Sequence, residues 1–245
     1  MFLGHFAMAF AAKAAAPKTS LGTTLLAAQA ADLLWPTLLL LGVERARIQE
    51  GITKVVPLDL EYYPFSHSLL AAVLLGALIG GVHLLFGSSR VGFGSGESFL
   101  RKPFACACAL GRNNRRDARG AVVLGLAVLS HWFLDVVSHR PDMPLAPGID
   151  LRIGLGLWNS VEGTVVTELV LFATGVGLYL WRTTARDGIG RWALWALLAI
   201  LGGLYAGNIA GVPPPNIDAV AWAGQAMWLF VALAWWIDRH RDVTR

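Results

Sequence analysis

His5, Asp32, His67, His131, Asp135 and His139 carry imidazole or carboxylate groups inside or at the edges of strongly apolar stretches. An ionisable group at the centre of such a helix costs about 2.5–3.5 kcal/mol on insertion scales, so each needs a reason to be there. The run Ser130-His131-Trp132-Phe133-Leu134-Asp135-Val136-Val137-Ser138-His139 sets His131, Asp135 and His139 at successive four-residue steps, which share one helix face. Two such steps cover about 12 Å. That is too far for His131 and His139 to hold one ion at metal–nitrogen distances of about 2 Å. Either Asp135 bridges two ions, or His139 serves elsewhere, freed by the helix end that Pro141 favours. Imidazole and carboxylate donors without thiolate suit a hydrolytic zinc or manganese site, where the ion acidifies water and polarises a carbonyl or phosphoryl oxygen. The expected set is therefore one or two divalent ions held by His5, Asp32, His67, His131, Asp135 and His139. Asp32 doubles as a candidate base, and Asp142 is a further candidate ligand, base or turn residue. Any one of these histidines taken alone reads as a helix-interface residue bonded to a carbonyl; the convergence of six residues on one side favours a metal.

The elements that must position these groups are membrane helices. The chain has 245 residues, 56% hydrophobic and 15% charged, and a positive mean hydropathy, outside the usual range of soluble domains. Stretches long enough to cross a bilayer run over roughly 20–41, 66–86, 120–138, 160–181, 192–210 and 220–237. Residues 2–16 form a shorter apolar segment that either crosses or lies in the interface. The expectation is an all-α polytopic helical bundle of six to seven segments. It forms a single integral membrane domain over 1–245, with the site in 1–145 and accessory helices in 160–237. Pro36, after Asp32 and Trp35, is expected to open the second segment and let Asp32 reach a polar cavity. Glu168, inside the stretch 160–181, needs a polar partner, either the site or Asn208. The ten tryptophans fit the aromatic belts of the two interfaces.

Basic residues set the orientation. Lys13, Lys18, Arg90, Arg101, Lys102, Arg112, Arg115, Arg116, Arg119, Arg182, Arg186, Arg191, Arg239, Arg241 and Arg245 fall on one side of the six spans; Arg45, Arg47, Lys54, Arg140 and Arg152 fall on the other. The richer side is read as cytoplasmic, which places the C-terminus inside and the His/Asp groups toward the periplasmic face of an inner membrane. Residues 1–16 lack a basic region ahead of their apolar run and are read as part of the mature chain. The net charge of +4 is spread over loops as a topology signal, so no nucleic-acid partner is expected. Cys106 and Cys108 are too close for an ordinary disulfide. Gly92-Phe93-Gly94-Ser95-Gly96 lacks the Gly-Lys-Ser/Thr of a phosphate loop and reads as a linker. His83 and His240 lie toward the opposite surface and are left out of the site.

Gly4-His5, Ala31-Asp32, Phe65-Ser66-His67-Ser68 and Ser130-His131-Trp132-Phe133-Leu134-Asp135 resemble, in order and spacing, the motifs of the inner-membrane metal-dependent hydrolases. The resemblance spans roughly residues 1–145. That family is in turn similar, more distantly, to the all-helical zinc-dependent phospholipase C and nuclease group. The resemblance implies that His67, His131 and Asp135 hold one ion, with Asp32 bridging or acting as base, and that the activity is hydrolysis. No His-x-x-x-Glu pair follows His139, so it implies one or two ions rather than three. A lipid or other phosphoester is the expected substrate, because a site at the outer interface meets lipid headgroups directly. Two readings from other classes stay open at this point: a metal-ion or proton transporter or channel, and a haem protein with His67 and His131 as axial ligands.

Overall fold

The computed structural model describes residues 1–86 and 117–244. Cys106, Cys108, the glycine-containing stretch 92–96 and the basic residues at 90, 101, 102, 112, 115, 116 and 245 lie outside the described residues. The helices, in chain order, are α1 (Phe2–Ala15), α2 (Leu21–Ala28), α3 (Ala30–Leu40), the single turn α4 (Pro64–His67), α5 (Leu69–Phe86), α6 (Ala118–Ser138), α7 (Val161–Arg182), α8 (Gly188–Ala210), α9 (Ile217–Gln225) and α10 (Met227–Arg239). Among the described residues, five helical stretches are long and apolar enough to cross a membrane, and six if α2 and α3 are one span bent by 56°. They cover all six apolar stretches read from the sequence. This is a mostly helical chain whose candidate spans point to a multi-pass membrane protein.

The short first segment lies at the centre of the bundle. Leu3, Phe6, Ala9 and Phe10 of α1 are buried, packed among α2, α6, α7 and α8. At 1.5 Å per residue α1 is about 21 Å long, shorter than the hydrocarbon thickness of about 30 Å. Its neighbours are protein, so it has no need to span that thickness. The outer surface of α5 instead presents Leu74, Leu78 and Leu85, each at least 60% exposed, as a lipid-facing surface requires.

The second span bends at Gln29, between α2 and α3, not at Pro36 as expected. Pro36 sits inside α3, and its ring conflicts with the carbonyl one turn earlier, at Asp32, so its disruption is expected upstream. The break lies still further upstream. It lets the two halves take different partners: α2 packs on α10, and α3 on α9.

Small residues fix the close approach of α5 and α6. A Cβ on Gly80 would lie 2.9 Å from the Ala121 carbonyl oxygen, and one on Gly76 would lie 3.1 Å from that of Gly125. This is the small-xxx-small packing of membrane helices, where the backbones themselves make the contact. Gly80→Ile is therefore expected to push the two helices apart and cost about 1–3 kcal/mol, the usual range for overpacking. A thermal-unfolding midpoint in detergent should fall, whereas the same change at Gly81, which has open space around it, should leave it nearly unchanged.

The all-α expectation omits three two-stranded antiparallel ribbons in the connections. β1 (Arg45–Ile48) pairs with β2 (Leu58–Tyr62), β3 (Met143–Pro144) with β4 (Arg152–Ile153), and β5 (Thr183–Ala185) with β6 (Arg241–Val243). The first two flank the end of the bundle where α6 finishes and α1 begins. The third joins the chain after α7 to the chain after α10 at the opposite end. At that opposite end Lys13 is buried against the carbonyls of Pro17 and Thr19 and the Asp238 carboxylate. His83 meets Asp117 and His240 meets Asp187 there, away from the other histidines, as read from the sequence.

Candidate metal centre

Four helices and the residue that caps one of them deliver the His and Asp groups to one place. α6 contributes His131 and Asp135 one turn apart, α3 contributes Asp32 just past the bend, α1 contributes His5, α4 contributes His67, and His139 follows the end of α6. His131 Nε2 lies 3.2 Å from Asp135 Oδ2 and 3.6 Å from Asp32 Oδ1. His67 Nε2 lies 3.3 Å from Asp32 Oδ1 and 3.9 Å from Asp135 Oδ2. His5 Nε2 lies 3.0 Å from Asp135 Oδ1, and its ring stacks on His131 at 3.6 Å between centroids. Two sets, His5–Asp32–His131 and His67–His131–Asp135, each bring one donor atom per residue within 4.8 Å of the others. Among the described residues these are the groups able to hold a metal ion, and they contain five of the six expected ligands.

His139 is the sixth. It caps α6 with extended backbone, so its side chain leaves the helical stripe, and its Nε2 turns back to within 3.9 Å of Asp135 Oδ1. The two oxygens of Asp135 therefore face different histidines: Oδ2 faces His67 and His131, and Oδ1 faces His5 and His139. Asp135 Oδ1 also accepts a hydrogen bond of 2.6 Å from the Met1 amino group.

Two of the histidines, His131 and His139, hold a hydrogen away from the cluster, whereas His5 Nε2 and His67 Nε2 lie at hydrogen-bond distance from Asp135 Oδ1 and Asp32 Oδ1. His131 Nδ1 is 2.8 Å from the Ala28 carbonyl oxygen, the last residue of α2 before the bend. A carbonyl can only accept, so Nδ1 carries a hydrogen, and in its neutral form the ring turns a lone pair on Nε2 toward the carboxylates. That nitrogen is close to Asp135 yet misaligned for a hydrogen bond, and it has no hydrogen-bond partner. His139 Nδ1 lies 3.1 Å from Asp142 Oδ1 and donates to it, again leaving Nε2 facing inward. The inward Nε2 atoms of His131 and His139 face carboxylates, an arrangement that a cation among them would stabilise; the Met1 amino group supplies positive charge only at Asp135 Oδ1. Outer partners that fix the ring in this way are the usual supports of metal-binding histidines.

Asp142 is held from three sides. Tyr63 Oη donates to it at 3.0 Å, Arg140 Nε at 2.9 Å, and His139 as above. Burial pushes its carboxyl up, but the hydrogen bonds from His139, Arg140 and Tyr63 outweigh burial and hold it below the usual carboxylate range. Burial and the adjacent Asp142 push the Tyr63 phenol well above its ordinary value, so it stays a donor. Arg140 also pairs with Asp59, which in turn meets Arg47 in β1.

Glu168 of α7, 2% exposed, finds its partner neither at Asn208 nor in the ligand cluster. Its carboxylate accepts from the backbone N–H of Leu3 at 2.5 Å and of Gly4 at 3.3 Å, and so caps the first turn of α1. The sequence marked it as needing a partner. It had no sign that the partner would be backbone. Also unforeseen were the Ala28 carbonyl and Trp158, whose ring lies 4.2 Å from that of His139.

The cluster forms the floor of a cavity of about 620 Å³. His5, Asp32, His67, Asp135, His139 and Glu168 line its depth, and Trp35, Val55, Val56, Tyr205, Val212 and Pro213 line its apolar walls. The fold and site together define a helical membrane-type protein with a buried His/Asp cluster that could bind a metal. Comparison with protein-family models, with curated proteins and with solved structures finds no match.

Proposed function

We propose that this chain is an inner-membrane metal-dependent hydrolase whose cavity opens to the periplasmic side and takes a lipid or another phosphoester. One observation carries the reading: Nε2 lone pairs of fixed histidines converge with two carboxylates at the floor of a large, partly apolar cavity. The residues fit one or two divalent ions, zinc or manganese, with His67, His131, Asp135 and Asp32 as the first set and His5 and His139 beside Asp135 Oδ1 as further donors. Such an ion supplies Lewis acidity toward a carbonyl or phosphoryl oxygen.

Among the carboxylates, Asp32 is suited to take a proton from water. Its side chain is 28% exposed into the cavity while that of Asp135 is 3% exposed. Asp142, committed to Tyr63, His139 and Arg140, acts as a positioning residue for His139 rather than as a base. The N-terminal part, 1–145, supplies the ligands, and the accessory part, 160–237, closes the cavity through Glu168, Tyr205 and Val212 within one membrane domain. Lys13, Arg182, Arg186, Arg239 and Arg241 lie at the end away from the cavity, while Lys54 lines the cavity and Arg45, Arg47, Arg140 and Arg152 lie in the connections at the same end as it. That split supports a periplasmic mouth and a cytoplasmic C-terminus.

The rival readings have less support. A conducting path needs polar groups through the full depth, and beneath the cluster Leu25, Leu124, Ala127 and Val128 pack as a buried apolar layer. A porphyrin between His67 and His131 would need the space occupied by Asp32 Oδ1, which lies 3.3 and 3.6 Å from their Nε2 atoms.

The test is hydrolysis of a panel of phospholipids and soluble phosphoesters by purified protein loaded with zinc or manganese, in detergent and in sealed right-side-out vesicles. Metal-dependent product release, lost in Asp32→Asn and present when substrate is added outside the vesicles, is the expected result. Folded, metal-loaded protein that cleaves nothing in the panel would overturn the assignment.

A further inference from the structure

His67 differs from its neighbours in how its proton is fixed. Ser66 Oγ, not a carbonyl or a carboxylate, lies 2.7 Å from its Nδ1. On the other side of the ring Nε2 lies 3.3 Å from Asp32 Oδ1, a contact that draws a hydrogen to Nε2 when no ion is bound, and a hydroxyl at Nδ1 can donate or accept, so these contacts alone leave the ring's tautomer open. Glu44 removes that freedom. It stands just before β1, is 1% exposed, and reaches over α4. Its Oε1 accepts from the backbone N–H of Phe65 at 2.7 Å and of Ser66 at 2.9 Å, and its Oε2 accepts the Ser66 hydroxyl at 2.6 Å. The one hydroxyl hydrogen is thereby committed to Glu44. Toward His67, Ser66 offers only a lone pair, and Nδ1 must supply the hydrogen.

We propose that Glu44 and Ser66 are positioning residues that act as a polarity relay, holding a hydrogen on His67 Nδ1 so that Nε2 presents a lone pair to the cluster. The consequence for binding rests on the metal-site reading above; the relay itself does not. The arrangement extends the carboxylate–histidine support common at metal sites by one hydroxyl.

The relay makes an unusual prediction about its own repair. In Glu44→Gln the amide oxygen still accepts from the Phe65 and Ser66 N–H groups, so α4 keeps its cap. The amide nitrogen now donates to Ser66 Oγ, the hydroxyl hydrogen turns to His67 Nδ1, and the ring is forced to carry its hydrogen on Nε2, where a ligand lone pair is needed. Zinc affinity should fall by about 10–100-fold, the range for supporting residues. Ser66→Ala only removes one partner from the ring and should cost less. The double variant Glu44→Gln/Ser66→Ala has no hydroxyl to force the wrong tautomer, so it should bind zinc more tightly than Glu44→Gln alone. A merely structural role for Glu44 predicts instead that the double variant is no better than the single.

Two measurements on the full chain in detergent decide it. Zinc titrations of wild type and the three variants read the order of affinities. Nitrogen-15 spectra of histidine-labelled, metal-free protein, with His67 assigned through His67→Asn, read whether Nδ1 bears a hydrogen. The expected result is a protonated Nδ1 in wild type, an unprotonated Nδ1 in Glu44→Gln, and partial recovery of affinity in the double variant. An unprotonated Nδ1 in wild type, or a Glu44→Gln ring unchanged from wild type, overturns the relay. Protein that binds no zinc yet shows the expected ring states upholds the relay and removes the metal-site reading.

Discussion

Wild-type protein purified in detergent should carry stoichiometric zinc or manganese by mass spectrometry, and both Asp135→Asn and His131→Ala should lose it. The two residues are one helical turn apart in α6, and every other candidate ligand is arranged around them. Asp135 is the larger loss because both of its oxygens are in use. Oδ2 faces His131 at 3.2 Å and His67 at 3.9 Å, while Oδ1 faces His5 at 3.0 Å, the Met1 amino group at 2.6 Å and His139 at 3.9 Å. An asparagine keeps the shape but removes the negative charge and turns one of the two oxygens into an amide nitrogen that cannot bind a cation. Removing one partner from a buried ion pair costs about 3–5 kcal/mol, because the remaining charge is stranded. The metal-free variant should therefore also unfold at a lower temperature than metal-free wild type. His131→Ala should lose the ion and leave the Ala28 carbonyl at the bend without its donor, which adds about 1–3 kcal/mol. Well-folded wild type that takes up no metal after supplementation, or variants that keep it, would return these side chains to a packing role.

What could be read in the sequence follows from how local each signal is. The four-residue steps of His131, Asp135 and His139 were legible because helical period is local, and Pro141 correctly pointed to His139 leaving the stripe. The long apolar helices were legible because hydropathy over twenty residues is a strong signal. Hydropathy does not say whether an apolar surface faces lipid or protein, so the burial of α1 in the bundle was not readable. Nor was the bend: Gln29 carries no breaker signature, and the nearest proline lies in the wrong half. Long-range polar partners were the least legible. Glu44 meets Ser66 across a loop that contains the β1–β2 ribbon, and the Leu3 and Gly4 amides have no side-chain signature that could mark them as Glu168's partners.

Glu168→Ala is expected to loosen α1 and weaken metal binding through His5, while Glu168→Gln largely preserves both. The first turn of any helix leaves backbone N–H groups without intrahelical acceptors. In α1 two of these, on Leu3 and Gly4, are buried within the bundle. The carboxylate from α7 answers both, and its negative charge also complements the positive end of the helix, worth about 0.3–2 kcal/mol. Alanine strands two buried donors at about 1–3 kcal/mol each. Glutamine keeps one carbonyl oxygen in the place of Oε2 and gives up mainly the charge. His5 sits on that same turn, stacked on His131, so any drift of α1 shifts a ligand as well as a core helix. The contact is tight along its length, because a Cβ on Gly175 of α7 would collide with the Ala7 backbone, and α1 has no slack to settle elsewhere without losing it. Thermal unfolding and metal content measured together separate the outcomes. A lower midpoint with reduced metal in the alanine variant, and near wild-type values in the glutamine variant, is the expected pair. An alanine variant matching wild type in both would mean that α1 is held by its apolar packing alone, and that His5 needs no help from α7.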